Sequence, residues 1–266
     1  MTYALIVALA ALICLAALAT GALRLRHEAR SAHLLLLAAA GSGVTLTVTV
    51  RILDGWHADL STALWATTAA TTLIAFVLTA LRVMSTSYLT LLGPYMLLLG
   101  CLAMALSAGS STPPPMASLS MPVIVHVIDS VLTYGLATLA AVVALAATLK
   151  QRALKTKRDG EIVRRLPSVA ESERLVFRLL IVAEILLFVG LMTGSILSYR
   201  QDGVMLPFDH KTFLTALSFL VIGALIALHV FIGMRGRAAA RFVLIAWILL
   251  TLGYPGVKFV TDILIG

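Results

Sequence analysis

The sequence predicts an all-α fold, a polytopic membrane helix bundle of about eight transmembrane helices, and three observations predict it. Apolar residues make up 61% of the chain and charged residues only 12%, with a mean hydropathy of +1.04. Soluble domains run at roughly half apolar and a quarter charged. The apolar residues gather in eight long stretches, each at least as long as the ~20 residues that cross a ~30 Å hydrocarbon core. The basic residues collect in alternate connections between those stretches.

The stretches cover about 3–23, 32–52, 60–81, 88–108, 122–149, 176–198, 211–233 and 239–261. Each is read as a helix, because lipid offers no partner to an open backbone and the runs are far longer than barrel strands. In a chain of 266 residues these spans leave no room for a separate soluble domain, so residues 1–266 are read as one transmembrane domain. Met1-Thr2-Tyr3 lacks the basic start of a signal peptide, so the first stretch reads as a retained span. Arg51 and Arg178 stand at span ends, where long side chains reach the headgroups. Cys14 and Cys101 both lie inside apolar stretches, which argues against a disulfide framework or a thiolate metal site.

The formal net charge is +8, and its placement sets the orientation. The connections after spans one, three, five and seven hold sixteen of the twenty Lys and Arg residues, counting Arg178 at the edge of one of them. The other side holds only Arg51, Arg200, Lys211 and Lys258. By the positive-inside rule the crowded side is cytoplasmic, which puts both termini on the outer (periplasmic) side. The one long cytoplasmic connection is the basic loop at about 150–175, running from Lys150 to Arg174. A solvated loop obeying that rule accounts for it, and it is also where a membrane or cytoplasmic protein partner, or anionic lipid, would dock. Its cations are not interleaved with aromatics, so no nucleic acid is expected as a partner. On the other side, Gly109–Pro115 is an uncharged, proline-rich loop.

Of six histidines, His27, His33 and His229 fall towards the basic side, while His57, His126 and His210 fall at outer ends of spans. Imidazoles on facing helices can ligate a haem iron from both sides, and helix bundles often build such sites. Interfacial histidines also sit simply among headgroups and water, so spacing alone leaves both readings open. His126 lies about one turn inside span five, with Asp129 three residues on and therefore on the same helix face. That carboxylate could accept the second imidazole N–H and fix the ring as a ligand, or form half of a proton relay. Ser130 and Tyr134 would extend the polar strip. His210 stands in Asp209-His210-Lys211-Thr212, where Asp209 reads as a helix cap. His57 follows Trp56 as an interfacial anchor would. Glu184, inside span six, has no partner adjacent in sequence and could pair with His229 or Arg178, or be protonated. No phosphate loop, metalloprotease helix or nucleophile elbow is present, so the chain is not expected to be an enzyme.

The C-terminal third carries a further pattern: Gly190-Leu-Met-Thr-Gly194 in span six, Asp209-His210-Lys211-Thr212, Gly233-Met-Arg-Gly236-Arg237 and Leu252-Gly-Tyr254-Pro-Gly256-Val-Lys258. Upstream, His126 with Tyr134, the Lys150-Gln-Arg-Ala-Leu-Lys run and Leu175-Val-Phe177-Arg178 keep the same order. Over roughly residues 60–266 this resembles the cytochrome c assembly superfamily, in particular its short eight-helix branch of HemX-like and YpjD-like inner-membrane proteins. The resemblance implies haem binding or handling at the outer face, with His126 and His210 as iron ligands and Asp129 behind them. Larger relatives hold the porphyrin on a tryptophan-rich loop, yet residues 199–211 contain no tryptophan, and Trp56, Trp65 and Trp247 lie elsewhere. The same branch implies an alternative: a non-catalytic membrane regulator or scaffold for a cytoplasmic enzyme of haem synthesis or for an ion-efflux component. A proton-coupled transporter using His126, Asp129 and Glu184 ranks below both, because no pair of broken helices recurs in the two halves.

Overall fold

The computed structural model describes residues 2–25, 28–54, 59–107, 120–157, 160–204 and 209–259. Among them there is no strand, and eight helices are long and apolar enough to cross a membrane. His27, the Trp56–His57 pair and the proline-rich segment 109–115 lie outside the described residues.

The helices are α1 (Thr2–Arg24), α2 (Arg30–Leu53), α3 (Leu60–Ala80), α4 (Leu89–Ser107), α5 (Met121–Thr156), α6 (Glu161–Arg165), α7 (Val169–Asp202), α8 (His210–Ile232), α9 (Gly236–Thr251) and α10 (Val257–Phe259). Helices α1 to α4 pack on one another, and α5, α7, α8 and α9 form a second group joined to the first where α3 meets α5. The axis is α5, whose residues from Thr133 to Val143 are all buried. They are mostly Ala, Thr, Leu, Val and Gly. In lipid, helices associate by close van der Waals packing, and small side chains let the backbones approach. The same logic joins α1 to α4, where a Cβ on Gly93 would lie 2.9 Å from the Ala19 Cα. Large apolar side chains instead cover the outside, with Ile13, Leu35, Leu220 and Phe231 exposed as a lipid-facing surface requires. The buried hydroxyls of Thr67, Thr68, Thr71 and Thr72 on α3 donate to carbonyls one turn back, so they cross the core satisfied.

The basic end of the bundle is tied by its own cations. Arg30 donates to the Thr79 and Ala80 carbonyls that end α3, and Arg165 donates to the Leu23 carbonyl near the end of α1. Lys150 donates to Val163 and Arg164 of α6. Cations at carbonyl-rich helix ends are favoured by the helix dipole as well as by the hydrogen bonds.

Two departures from the sequence reading have clear causes. The region 150–175 is largely helix rather than an open loop: α5 runs on to Thr156, α6 is a short helix, and α7 starts at Val169. Lys150 to Lys155 are good helix formers and nothing in Lys-Gln-Arg-Ala-Leu-Lys stops the helix at the lipid boundary. At the start of α7, the Ser168 hydroxyl accepts the Glu171 N–H in a Ser-x-x-Glu cap. The last span is not regular either. After α9 the chain makes a wide π turn over Leu252–Gly256, closed by the Val257 N–H on the Leu252 carbonyl. Pro255 lacks the N–H that would continue the α-helix, and the wider turn absorbs the loss.

Candidate functional site

At the end of the bundle opposite the basic cluster, α5, α7, α8 and the π turn enclose a cavity of about 80 Å³. His126, Asp129 and Tyr134 reach it from α5, Gly190 from α7, Lys211 from α8 and Tyr254 from the π turn.

His126 is half-buried, and its Nδ1 lies 2.9 Å from the Thr193 hydroxyl on α7. That hydroxyl already donates its single proton to the carbonyls of its own helix, 3.0 Å from Val189 O and 3.2 Å from Gly190 O. With its proton on those carbonyls, it accepts from the imidazole: in that tautomer Nδ1 carries the proton and Nε2 a lone pair with no partner among the described residues. The hydrogen bond that the sequence reading gave to Asp129 is thus made by Thr193, a residue on another helix to which the sequence reading gave no site role. Gly194 makes the approach possible, since a Cβ there would stand 3.2 Å from the imidazole Cε1.

Asp129 does share a face with His126, and it turns to the other glycine of the same pair. Its Oδ2 lies 2.7 Å from where a Cβ on Gly190 would be, and that oxygen is buried without a hydrogen bond. Gly190 and Gly194 are one helical turn apart. The groove that such a pair cuts in α7 receives two polar side chains of α5, not only its backbone. One turn further in, the Tyr134 hydroxyl meets Thr251 at 3.1 Å. With the Thr251 proton on the Trp247 carbonyl, Thr251 accepts from Tyr134, whose hydroxyl also meets Tyr95 and Thr138. The Trp247 N–H reaches Thr138 at 3.1 Å, which bolts α9 to α5 beneath the cavity.

His210 is elsewhere. It is the exposed first residue of α8, behind the cap made by the Asp209 carboxylate on the Thr212 N–H at 2.7 Å. It does not line the cavity; its neighbour Lys211 does. The structure therefore brings His126 and Asp129 to one cavity and leaves His210 on the surface at the same end. Glu184 meets neither expected partner among the described residues: its Oε2 is buried without a hydrogen bond, and its Oε1 lies 3.0 Å from the Cβ position of Gly223 on α8. His229 instead stacks on Phe177, centroids 4.1 Å apart, with its Nδ1 2.9 Å from the Met234 carbonyl. His33, on α2, is buried and bonded to the Ala29 carbonyl. Thr193, Lys211, Gly190, Gly194 and Tyr254 were given no site role from sequence, although all five lie in the segments that carry the family resemblance, and the glycine spacing of four is the small-xxx-small pattern of closely packed membrane helices.

Residues 31–265 match the family described as Cytochrome C assembly protein. The chain belongs to that family. The cavity just described falls wholly within the matched residues. This cytochrome c assembly family member is also 47% identical over 219 residues to an uncharacterized 28.8 kDa protein in the nifR3-like 5' region of Azospirillum brasilense, covering 81% of this chain and 80% of that one. No solved structure matches it.

Proposed function

We propose that this cytochrome c assembly family protein binds haem at the end of the bundle opposite its basic residues, with His126 as an axial ligand. In this reading it handles or senses haem in a bacterial inner membrane and is not itself an enzyme. The observation that carries the proposal is the setting of His126: Nδ1 lies 2.9 Å from the Thr193 hydroxyl, which leaves Nε2 as the nitrogen without a partner among the described residues. A metal-bound histidine characteristically donates its other ring N–H to a second residue, which fixes the tautomer and the ring plane.

The residues fit iron better than they fit a buried porphyrin. The donor chemistry is right, and Lys211 in the first turn of α8 supplies a cation of the kind that meets a propionate. The cavity of about 80 Å³ is smaller than the ~300–1,000 Å³ pockets that enclose a drug-sized ligand, so it does not surround a macrocycle. His126 would therefore offer one nitrogen to the iron at the cavity, and the exposed His210 is the other candidate ligand at this end. When bound, haem would supply a redox-active iron. This chain's own residues orient one imidazole, keep its second nitrogen unprotonated and place a cation beside it. The positive-inside rule puts this end outside the cytoplasm. A docking role for residues 150–175 has less support, since Lys150 and Arg165 are occupied on helix ends.

Haemin titration of the protein in detergent, followed by its Soret band, tests the proposal. The wild type is expected to shift the band and His126→Ala to lose most of that shift. An unchanged shift in a His126→Ala, His210→Ala double variant would overturn it.

A further inference from the structure

Two polar atoms at the same cavity have no hydrogen-bond partner among the described residues: Asp129 Oδ2 and Thr133 Oγ1. Asp129 is 7% exposed and Thr133 3%, so neither is turned to bulk solvent or headgroups. Both lie on α5, four residues apart and thus on one face. A single orphan could be an irregularity of packing. Two lining one cavity call for an occupant, because buried polar groups are almost always hydrogen-bonded to protein or to ordered water.

We infer that the cavity holds ordered water that exchanges with the aqueous phase at the His126 end and links Asp129 and Thr133 to it. The volume allows this: about 80 Å³ is several times the ~10–15 Å³ that one water requires on this measure. The lining supplies the two to four polar partners that each buried water needs. Asp129 Oδ2 accepts. The Thr133 hydroxyl donates or accepts. Ser130 keeps a lone pair after donating to the His126 carbonyl, whereas the Tyr134 hydroxyl is taken up by Thr251, Tyr95 and Thr138. Thr215, whose proton goes to the Lys211 carbonyl, contributes a further acceptor from α8. A free metal ion held by oxygen atoms alone has only one carboxylate here, Asp129, with the Lys211 ammonium beside it. A lipid tail would leave both orphans unsatisfied. Water fits both signs of partner. The exposed Lys211 marks the mouth, so the water column leads past His126 to the surface.

The consequence is that the inner flank of His126 is wet although α5 is the most enclosed helix of the bundle. Water and protons reach the imidazole and Asp129 from within the protein and not through lipid. This stands on the two orphan atoms and the cavity and does not depend on haem. A dry cavity would leave the His126 nitrogen as free as before, and a protein that never binds haem would still have a wet one.

Radiolytic hydroxyl-radical footprinting of the full-length protein in lipid nanodiscs, after rapid mixing into heavy-oxygen water, tests the inference. The method modifies side chains next to bound water. Tyr134, 5% exposed and lining the cavity, is the reporter; Tyr88, 1% exposed and bonded to Ser172 away from the cavity, is the dry control. The expected result is modification of Tyr134 several-fold faster than of Tyr88, with heavy oxygen incorporated, and slower labelling in Thr133→Val, which conserves shape and removes one anchor. Should Thr133→Val not fold, Asp129→Asn serves in its place, with Tyr134 labelling again expected to change. Tyr134 labelled no faster than Tyr88, or labelled with light oxygen only, would overturn the proposal.

Discussion

Asp129 and Gly190 fit one another: the carboxylate Oδ2 of one stands 2.7 Å from the point where a side chain on the other would begin. The pair joins α5 to α7 at the floor of the cavity, and any side chain at position 190 forces the Asp129 carboxylate to shift. Gly190→Ala is expected to destabilise the protein by about 1–3 kcal/mol, the usual cost of overpacking. Gly194→Ala, whose Cβ would stand 3.2 Å from a His126 ring carbon, is expected to cost less. Adding Asp129→Ala to Gly190→Ala is expected to recover part of the loss. Unfolding of these three variants, of Asp129→Ala alone and of the wild type in mixed micelles checks this, and a strictly additive double variant would contradict it.

Thr193 governs His126 through one hydrogen bond of 2.9 Å. Thr193→Val keeps the shape and removes the acceptor, so the ring is free to rotate or to change tautomer. Haemin affinity is expected to fall by roughly 10–100-fold, the range seen when the partner of a metal-bound histidine is removed. Thr193→Ser is expected to retain it. The titration distinguishes the two, and equal affinities in Thr193→Val and wild type would remove Thr193 from the account.

The eight spans were legible because lipid imposes a single rule on every residue of a span, and a window of apolar residues records that rule locally. The Asp209 cap was legible for the same reason: donor and acceptor are three residues apart. The bond from His126 to Thr193 crosses 67 positions and depends on how α5 and α7 rotate against each other, which no local pattern encodes. Asp129 looked like the partner of His126 because three residues along a helix do share a face. The structure shows that sharing a face does not imply contact when a groove on the next helix offers each side chain its own seat. The helical path of 150–175 was hidden by its charge, which says that the segment leaves the lipid and nothing about its backbone.

Asp209, which precedes the span formed by α8, supplies a prediction with a sign. Burial would raise its pKa, but the hydroxyl and N–H of Thr212 with the charges of Lys211 and His210 outweigh this and hold the carboxyl below its ordinary value. A carboxylate lowered in this way stabilises the fold above the unfolded pKa of ~3.9, and that contribution is lost as pH falls through the native value. Asp209→Ala is expected to cost about 0.5–2 kcal/mol at neutral pH, as for other N-caps. The gap from wild type should narrow on acidification. Thermal unfolding across the acidic range reads this, and a gap that widens would contradict it.

Arg165 pins the connection between α5 and α7 to α1 through the Leu23 carbonyl at 2.6 Å. Arg165→Ala is expected to leave global stability within about 1 kcal/mol, the scale of a cation at a helix C-terminus. The local effect should be larger: trypsin is expected to cut between α5 and α7 faster than in wild type. Unchanged cleavage would mean that the contact does not hold this segment.

The claim at the centre is that the His126 Nε2 binds iron, and replacing that side chain from solution tests it most directly. In haem-loaded protein, His126→Gly is expected to lose the wild-type visible spectrum, and free imidazole added to that variant is expected to restore it. A His126→Gly protein that keeps the wild-type spectrum without imidazole would contradict the claim.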